Sequence, residues 1–369
     1  MIDNWFIIIL FSVCISAVLT AVIIPQVLDV AYKKQLFDNP DYRKVHKGVV
    51  PRLGGFAFLP AVLCSISVVV GFEMFISPKV LENSGVILEL PKILVLFASV
   101  SLLYLIGLKD DLVDVKYRSK FVVQGICAFM TVFSGVYIVN LQGLFWIWSM
   151  PWIVQILLSA FIIIFIINAI NLIDGIDGLA SGICIVSLIL FGTLFFMVGK
   201  YLYAMLAWTV VGTLSAFFYF NLFVNNKRRR KIFMGDTGAL TMGIIIAFLA
   251  IEITGIDMTQ ASLPFNAVVV AIAPLIIPLF DVVRVFFHRL KAGRSPFLPD
   301  KCHIHHNLMS AGFSPLQTLL FILSFQIVLT IVNVWLSACV NICLLIGADI
   351  LCYILVNLLI PKKSQPKTC

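Results

Sequence analysis

The chain has 369 residues, 61% of them apolar and 12% charged, with a formal net charge of +8. Soluble domains carry roughly 45–50% apolar and about 25% charged residues, so a soluble globular protein is excluded and an integral membrane protein is required. The apolar residues stand in long unbroken runs rather than short alternating segments, which selects helices over a membrane barrel and predicts an all-α, polytopic fold.

At about 20 residues per crossing, eleven spans are predicted near 5–28, 53–72, 92–108, 119–140, 151–169, 179–199, 201–222, 237–256, 264–285, 316–338 and 340–360. The first run lacks a basic leader and a cleavage site, so it is expected to stay as a helix rather than act as a signal peptide. Only Gly199 and Lys200 separate the sixth and seventh runs. Eleven spans put the two chain ends on opposite sides. Segments 29–52, 109–120, 223–236, 284–315 and 361–369 hold 6, 4, 5, 5 and 3 of the 26 Lys and Arg, leaving Lys79, Lys92 and Lys200 to the other face. Basic residues gather on the cytoplasmic side of membrane proteins, so the N-terminus is expected outside and the C-terminus inside. Residues 1–369 read as a single domain whose working loops, near 29–52, 109–120, 168–179, 223–236 and 286–315, share the cytoplasmic face. The nine cysteines are scattered, mostly within apolar runs, and offer neither a disulfide framework nor a thiolate metal site.

Five polar blocks interrupt the pattern on that face. Lys44-Val45-His46-Lys47 precedes Pro51-Arg52-Leu53-Gly54-Gly55, where cations beside a glycine pair suit the close approach of a phosphate. Asp110 and Asp111 end the third run, followed by Asp114, Lys116, Arg118 and Lys120. Adjacent carboxylates repel unless a cation lies near; it can be Mg²⁺, which takes carboxylate and phosphate oxygens, or a neighbouring Lys. Asn171-Leu172-Ile173-Asp174-Gly175-Ile176-Asp177-Gly178-Leu179-Ala180-Ser181-Gly182 joins two runs. If helical, its spacing of three sets Asp174 and Asp177 on one face, and two carboxylates near a bilayer exceed what capping needs. Gly235-Asp236-Thr237-Gly238 follows the basic run 227–231, and Asp236 there could either cap the next helix or ligate a metal. Last, Arg294 is followed by His303-Ile304-His305-His306, three of the chain's five histidines. Without a thiolate pair nearby, zinc is a poor fit; imidazoles donating to phosphate oxygens suit the adjacent Arg294 and Lys301 better.

In this order the blocks resemble those of the polyprenyl-phosphate N-acetylhexosamine-1-phosphate transferases, glycosyltransferase family 4. The matching stretches are 51–55, 110–111, 171–182, 234–238, 293–297 and 303–306. The His-Ile-His-His form after Pro299-Asp300-Lys301 is most similar to the bacterial undecaprenyl-phosphate N-acetylglucosamine-1-phosphate transferases. Ala239 departs from the Ser that many relatives carry. The resemblance implies transfer of a sugar 1-phosphate, chiefly GlcNAc-1-phosphate, from a UDP-N-acetylhexosamine to undecaprenyl phosphate, with UMP released. It further implies Mg²⁺ (or Mn²⁺), a place in the bacterial inner membrane with the site on the cytoplasmic face, and no nucleic-acid partner. A homodimer is the assembly expected if the chain self-associates. Asp236 is then the first choice as metal ligand, with Asp111 and Asp174 completing the set. Asp110, Asp111, Asp174, Asp177, His305 and His306 are the expected catalytic residues, and Lys47, Lys120, Asn171, Arg294 and His303 the expected substrate contacts. A relative using UDP-MurNAc-pentapeptide is the nearest alternative. An ion-coupled transporter is the rival from another class, since intramembrane carboxylates also mark ion paths.

Overall fold

A computed structural model describes residues 2–36, 50–76, 85–224, 230–259, 261–293 and 302–360; Lys47 and Arg294 lie outside these. The described residues are helical throughout and contain no strand. In order they form α1 (Ile2–Lys34), a 3-10 turn (Gly54–Ala57) running into α2 (Phe58–Ile76), α3 (Val86–Val113), α4 (Tyr117–Phe133), α5 (Trp152–Ile173) and α6 (Leu179–Met197). Then come α7 (Tyr201–Phe218), prolonged by a π turn (Tyr219–Phe223), α8 (Gly235–Thr254), and α9 (Ala267–Ile272) joined to α10 (Ile276–Lys291) through a 3-10 turn (Ala273–Leu275). The short α11 (Ile304–Ser310), α12 (Pro315–Leu336) and α13 (Ile342–Leu359) complete the chain.

Ten of the described helical segments are long and apolar enough to cross a membrane, α9 and α10 counting as one. The remaining expected span, 119–140, is α4, which stops after 17 residues at Phe133. That length is the lower limit for a crossing, yet α4 still runs the height of the bundle. Lys120 near its start meets Asp236 at the first residues of α8, and Gly135 past its end lies against Lys92 at the opposite end. The doubtful break at Gly199 is present, with Gly199 at φ +77 turning the chain between α6 and α7.

The bundle is built around α8. Every residue of this helix is buried except Asp236. Gly243 lets α8 press on the backbone of α5 at Ile167, and Gly107 on α3 lies against Thr237. Small residues drive such close helix contacts in a membrane, where apolar side chains gain little by leaving lipid. The two ends of the bundle carry different charges. At the end away from Asp236, Lys92 pairs with Glu252 at 2.7 Å and Lys200 with Glu89 at 3.3 Å, while Trp5 stacks on Tyr201. The first residues of α1 and the start of α13 share that end.

The glycine pair after Arg52 has a different task from the expected phosphate bed. Phe233 N donates to Pro51 O at 2.9 Å, Gly54 N to Phe233 O at 2.8 Å, and Gly55 N to Met234 O at 2.9 Å. Segment 51–55 is thus laced to the approach to α8, and a Cβ on Gly55 would collide with the Gly238 backbone. Gly55→Ala is expected to destabilise the protein by about 1–3 kcal/mol, the usual range for forced overpacking. Gly71→Ala, with open space around its Cβ, is expected to leave the melting temperature in detergent unchanged; equal melting of the two variants would refute the lacing.

Candidate active site

The start of α8 carries the site. Its N-cap position is Met234, which has no side chain able to accept a hydrogen bond, and the first amides of a helix need an acceptor. Asp111, at the end of α3, supplies it. Its Oδ1 accepts from Asp236 N at 2.8 Å, and its Oδ2 from Thr237 N at 2.9 Å and Thr237 Oγ1 at 2.6 Å. Asp111 thus caps the start of α8 with both of its oxygens. It also resolves the alternatives for Asp236: the cap comes from Asp111, and the Asp236 carboxylate is left to face outward.

Three helices meet that carboxylate. Asn171 Nδ2, from the last turn of α5, donates to Asp236 Oδ1 at 2.8 Å. Lys120 Nζ, from the first turn of α4, lies 2.6 Å from Asp236 Oδ2 and 3.1 Å from Asp110 Oδ2. Asp110 Oδ1 accepts from Val115 N at 2.6 Å, across the bend at Asp114, where φ is +50. Asp110 and Asp111 are neighbours in sequence, but the helix turns them to separate tasks.

Residues 174–178 form a turn rather than a helix, so Asp174 and Asp177 do not share a helical face. Asp174 ends α5, and α6 begins after Gly178 at φ +78 without a side-chain cap. Asp177 turns to Lys231, with Oδ2 2.5 Å from Nζ. Asn221 in the π turn fixes this geometry: its Oδ1 accepts from Gly178 N at 2.6 Å, and its Nδ2 donates to Ile232 O at 2.8 Å. Asp174 remains on the Asp236 side and has no hydrogen-bond partner among the described residues. Burial, then the negative charge of Asp236, push its carboxyl up to about 7, against the pull of Arg52.

The histidines lie on the other side of this turn. His305 is 1% exposed, its ring against Gly175, and neither ring nitrogen has a partner among the described residues. Burial, and then the neighbouring His306 and His303, hold its pKa well below the ordinary imidazole range. His305 thus packs as a buried ring between α11 and the turn. His306, with its ring centroid 4.2 Å from that of His305, is the more accessible of the two.

Asp110, Lys120, Asn171, Asp174 and Asp236 are thus gathered at one end of the bundle, with Asp177, His303 and His306 close by. Asn221 and the Asp281–Arg284–Tyr353 group escape a reading of the sequence alone; the one signal for Asp281 is a carboxylate three residues before an arginine inside a predicted span. Among the described residues no three acidic or histidine side chains converge closely enough to enclose an ion by themselves. Mg²⁺ usually takes one or two carboxylates and completes its shell with water and phosphate oxygens. Asp174 beside Asp236 fits that mode of binding, whereas Asp111 already accepts three hydrogen bonds from the start of α8.

Fold and site define an integral membrane protein with an acidic and cationic pocket, suited to phosphate chemistry, at one end of a helical bundle. The family model for glycosyl transferase family 4 matches residues 93–254, which include Asp110, Asp174 and Asp236. The chain is 31% identical to the probable undecaprenyl-phosphate N-acetylglucosaminyl 1-phosphate transferase of Bacillus subtilis, over 100% of this chain and 97% of that protein. It is 33% identical to the undecaprenyl-phosphate alpha-N-acetylglucosaminyl 1-phosphate transferase of Yersinia pestis and 30% identical to that of Escherichia coli K12, each over 79% of this chain and 74% of the relative. The chain belongs to glycosyl transferase family 4.

The assignment of Asp111 makes a prediction that needs no substrate. Asp111→Asn replaces an acceptor of three hydrogen bonds by a group with one acceptor oxygen, and is expected to cost about 1–3 kcal/mol of stability. Thermal unfolding of the purified, metal-free protein measures this. A melting curve equal to that of the wild type would refute the capping role of Asp111.

Proposed function

We propose that the protein transfers N-acetylglucosamine 1-phosphate from UDP-GlcNAc to undecaprenyl phosphate, releasing UMP and leaving a diphosphate-linked sugar in the membrane. The observation that carries the reading is the convergence of Asp110, Lys120, Asn171, Asp174 and Asp236 at one bundle end, in a chain similar from end to end to the Bacillus subtilis relative. The excess of basic residues on that end supports a cytoplasmic site in a bacterial inner membrane. A transport path would put its carboxylates near the bilayer midplane, whereas these stand at helix ends.

The lipid phosphate is mostly dianionic near neutrality, its second pKa being about 6, so it needs alignment more than deprotonation. Its oxygen attacks the phosphorus that bears the sugar, the bond to the UMP oxygen breaks, and the new diphosphate joins lipid and sugar. Both partners are anions, so charge must be neutralised while they are held in line. Lys120 supplies one cation, and Lys47 and Arg294 are assigned by sequence to the phosphates. Asn171 holds Asp236 in a single orientation. Asp236 and Asp174 would hold Mg²⁺ or Mn²⁺, with Asp110 beside them; when bound, the ion neutralises phosphate oxygens and the departing UMP. His306 and His303 are assigned to the nucleotide sugar, and Asp177 keeps Lys231 at the rim.

UMP release from UDP-GlcNAc by purified enzyme with undecaprenyl phosphate and Mg²⁺ is the direct test. Asp236→Asn is expected to lower kcat by about two orders of magnitude or more, the scale on which a lost electrostatic partner acts in phosphoryl transfer. Near-normal turnover with unchanged metal dependence would remove Asp236 from the metal site. A panel of UDP-sugars that gave UMP only with UDP-MurNAc-pentapeptide would replace the proposed donor.

A further inference from the structure

Beside the histidines lies a buried ionic cluster that takes no part in holding Asp236. Asp281 of α10 is 1% exposed. Its Oδ1 accepts from Arg284 Nη2 at 2.8 Å, Ile304 N at 3.0 Å and the Tyr353 hydroxyl of α13 at 2.9 Å, and its Oδ2 lies 2.7 Å from His303 Nδ1. Arg284 Nη2 also donates to the carbonyl of Cys302. Cys302, His303 and Ile304 are consecutive, so one carboxylate and its arginine grip the chain leading into α11 at three successive residues.

A carboxylate against Nδ1 dictates that Nδ1 carries a hydrogen. Nε2 is then the ring nitrogen left for a ligand. The His303 ring lies parallel to that of His305, with centroids 5.9 Å apart and planes at 8°, and His305 rests on Gly175 next to Asp174. Packing therefore runs without a break from Asp281 to the turn that carries Asp174. With hydrogen on Nδ1, the neutral ring offers Nε2 as a hydrogen-bond acceptor.

We propose that Asp281 is a positioning residue of the transferase: it fixes the His303 imidazole with hydrogen on Nδ1 and so sets Nε2 to accept a hydrogen bond from a hydroxyl or amide N–H of the UDP-sugar. This rests on the transferase reading; the tautomer does not. Tyr353 makes the last span a structural partner of the same device, because its hydroxyl helps to hold the Asp281 carboxylate in place.

The test combines ¹⁵N-histidine spectra of the full-length protein in detergent with steady-state UMP release. The chain has five histidines, and His303→Gln identifies the signal. At pH about 8 without ligand, wild-type His303 is expected to show a protonated Nδ1 and a bare Nε2. In Asp281→Asn the carboxamide can donate to Nδ1 and move the hydrogen to Nε2, the tautomer error known for such pairs. The KM for UDP-GlcNAc is expected to rise about ten-fold, the effect of one lost hydrogen bond, with kcat changing far less. The same substitution in the His303→Gln background is expected to leave KM as His303→Gln alone sets it. An unchanged KM in folded Asp281→Asn overturns the proposal, as does a full KM rise without His303. If Asp281→Asn does not fold, the wild-type spectrum decides, because a neutral ring with its hydrogen on Nε2 is incompatible with the assignment. Wild-type protein that has the expected tautomer but releases no UMP from any UDP-sugar removes the transferase reading and leaves the Asp281–His303 pair standing.

Discussion

A carboxylate on one helix closing the first turn of another is the contact on which the site depends. The amides of Asp236 and Thr237 find no acceptor on their own N-cap, because the residue before α8 is Met234. A buried donor left unmet costs about 1–3 kcal/mol, and Asp111 removes that cost. Because the acceptor comes from α3, the acidic residue of α8 escapes the capping role that its position favours. Gly107 and Gly55 serve the same end, letting α3 and segment 51–55 come close enough for Asp111 and Met234 O to reach their partners.

The placement of Lys120 runs against helix electrostatics. A cation in the first turn faces the positive end of the α4 dipole, an arrangement that commonly costs some tenths of a kcal/mol. It persists because two carboxylates from α3 and α8 lie within 3.1 Å and 2.6 Å of its ammonium. A residue placed for stability alone would be expected at the other end of a helix. Asp110 and Asp236 hold Lys120 in order, and on the proposed function it is the charge that would meet the anionic substrates.

The spans were legible because a bilayer enforces long apolar helices, and the polar blocks were legible because they interrupt those helices at one end. The division of labour inside the blocks was not. Asp110 and Asp111 are equivalent as letters; about 100° of helical rotation between neighbours sends one to Lys120 and the other to α8. Asp174 and Asp177 suggested one helix face, but Gly178 at positive φ and the clasp of Asn221 make the segment a turn. Gly54 and Gly55 suggested room for a phosphate, and backbone fills it. Asn221 and Asp281 were passed over for a common reason: a single polar residue inside an apolar run gains meaning only from partners far away in sequence, here Gly178, Ile232, His303 and Tyr353.

What separates a site from a structural ion pair in this molecule is closure. At the far end of the bundle each described lysine meets one glutamate, Lys92 with Glu252 and Lys200 with Glu89, and these pairs tie α3 to α8 and α7. The Asp281 group is richer but closed too, with its carboxylate ringed by four donors. Around Asp236 the accounts stay open: two carboxylates share one lysine, and burial and the charge of Asp236 raise the Asp174 carboxyl to about 7 despite Arg52. Such a deficit is unfavourable in the isolated chain and is relieved only when positive charge arrives from outside. On the proposed function, a divalent ion held with a nucleotide diphosphate would bring that charge along with anions for Lys120, so that binding of donor and completion of the site would become one event.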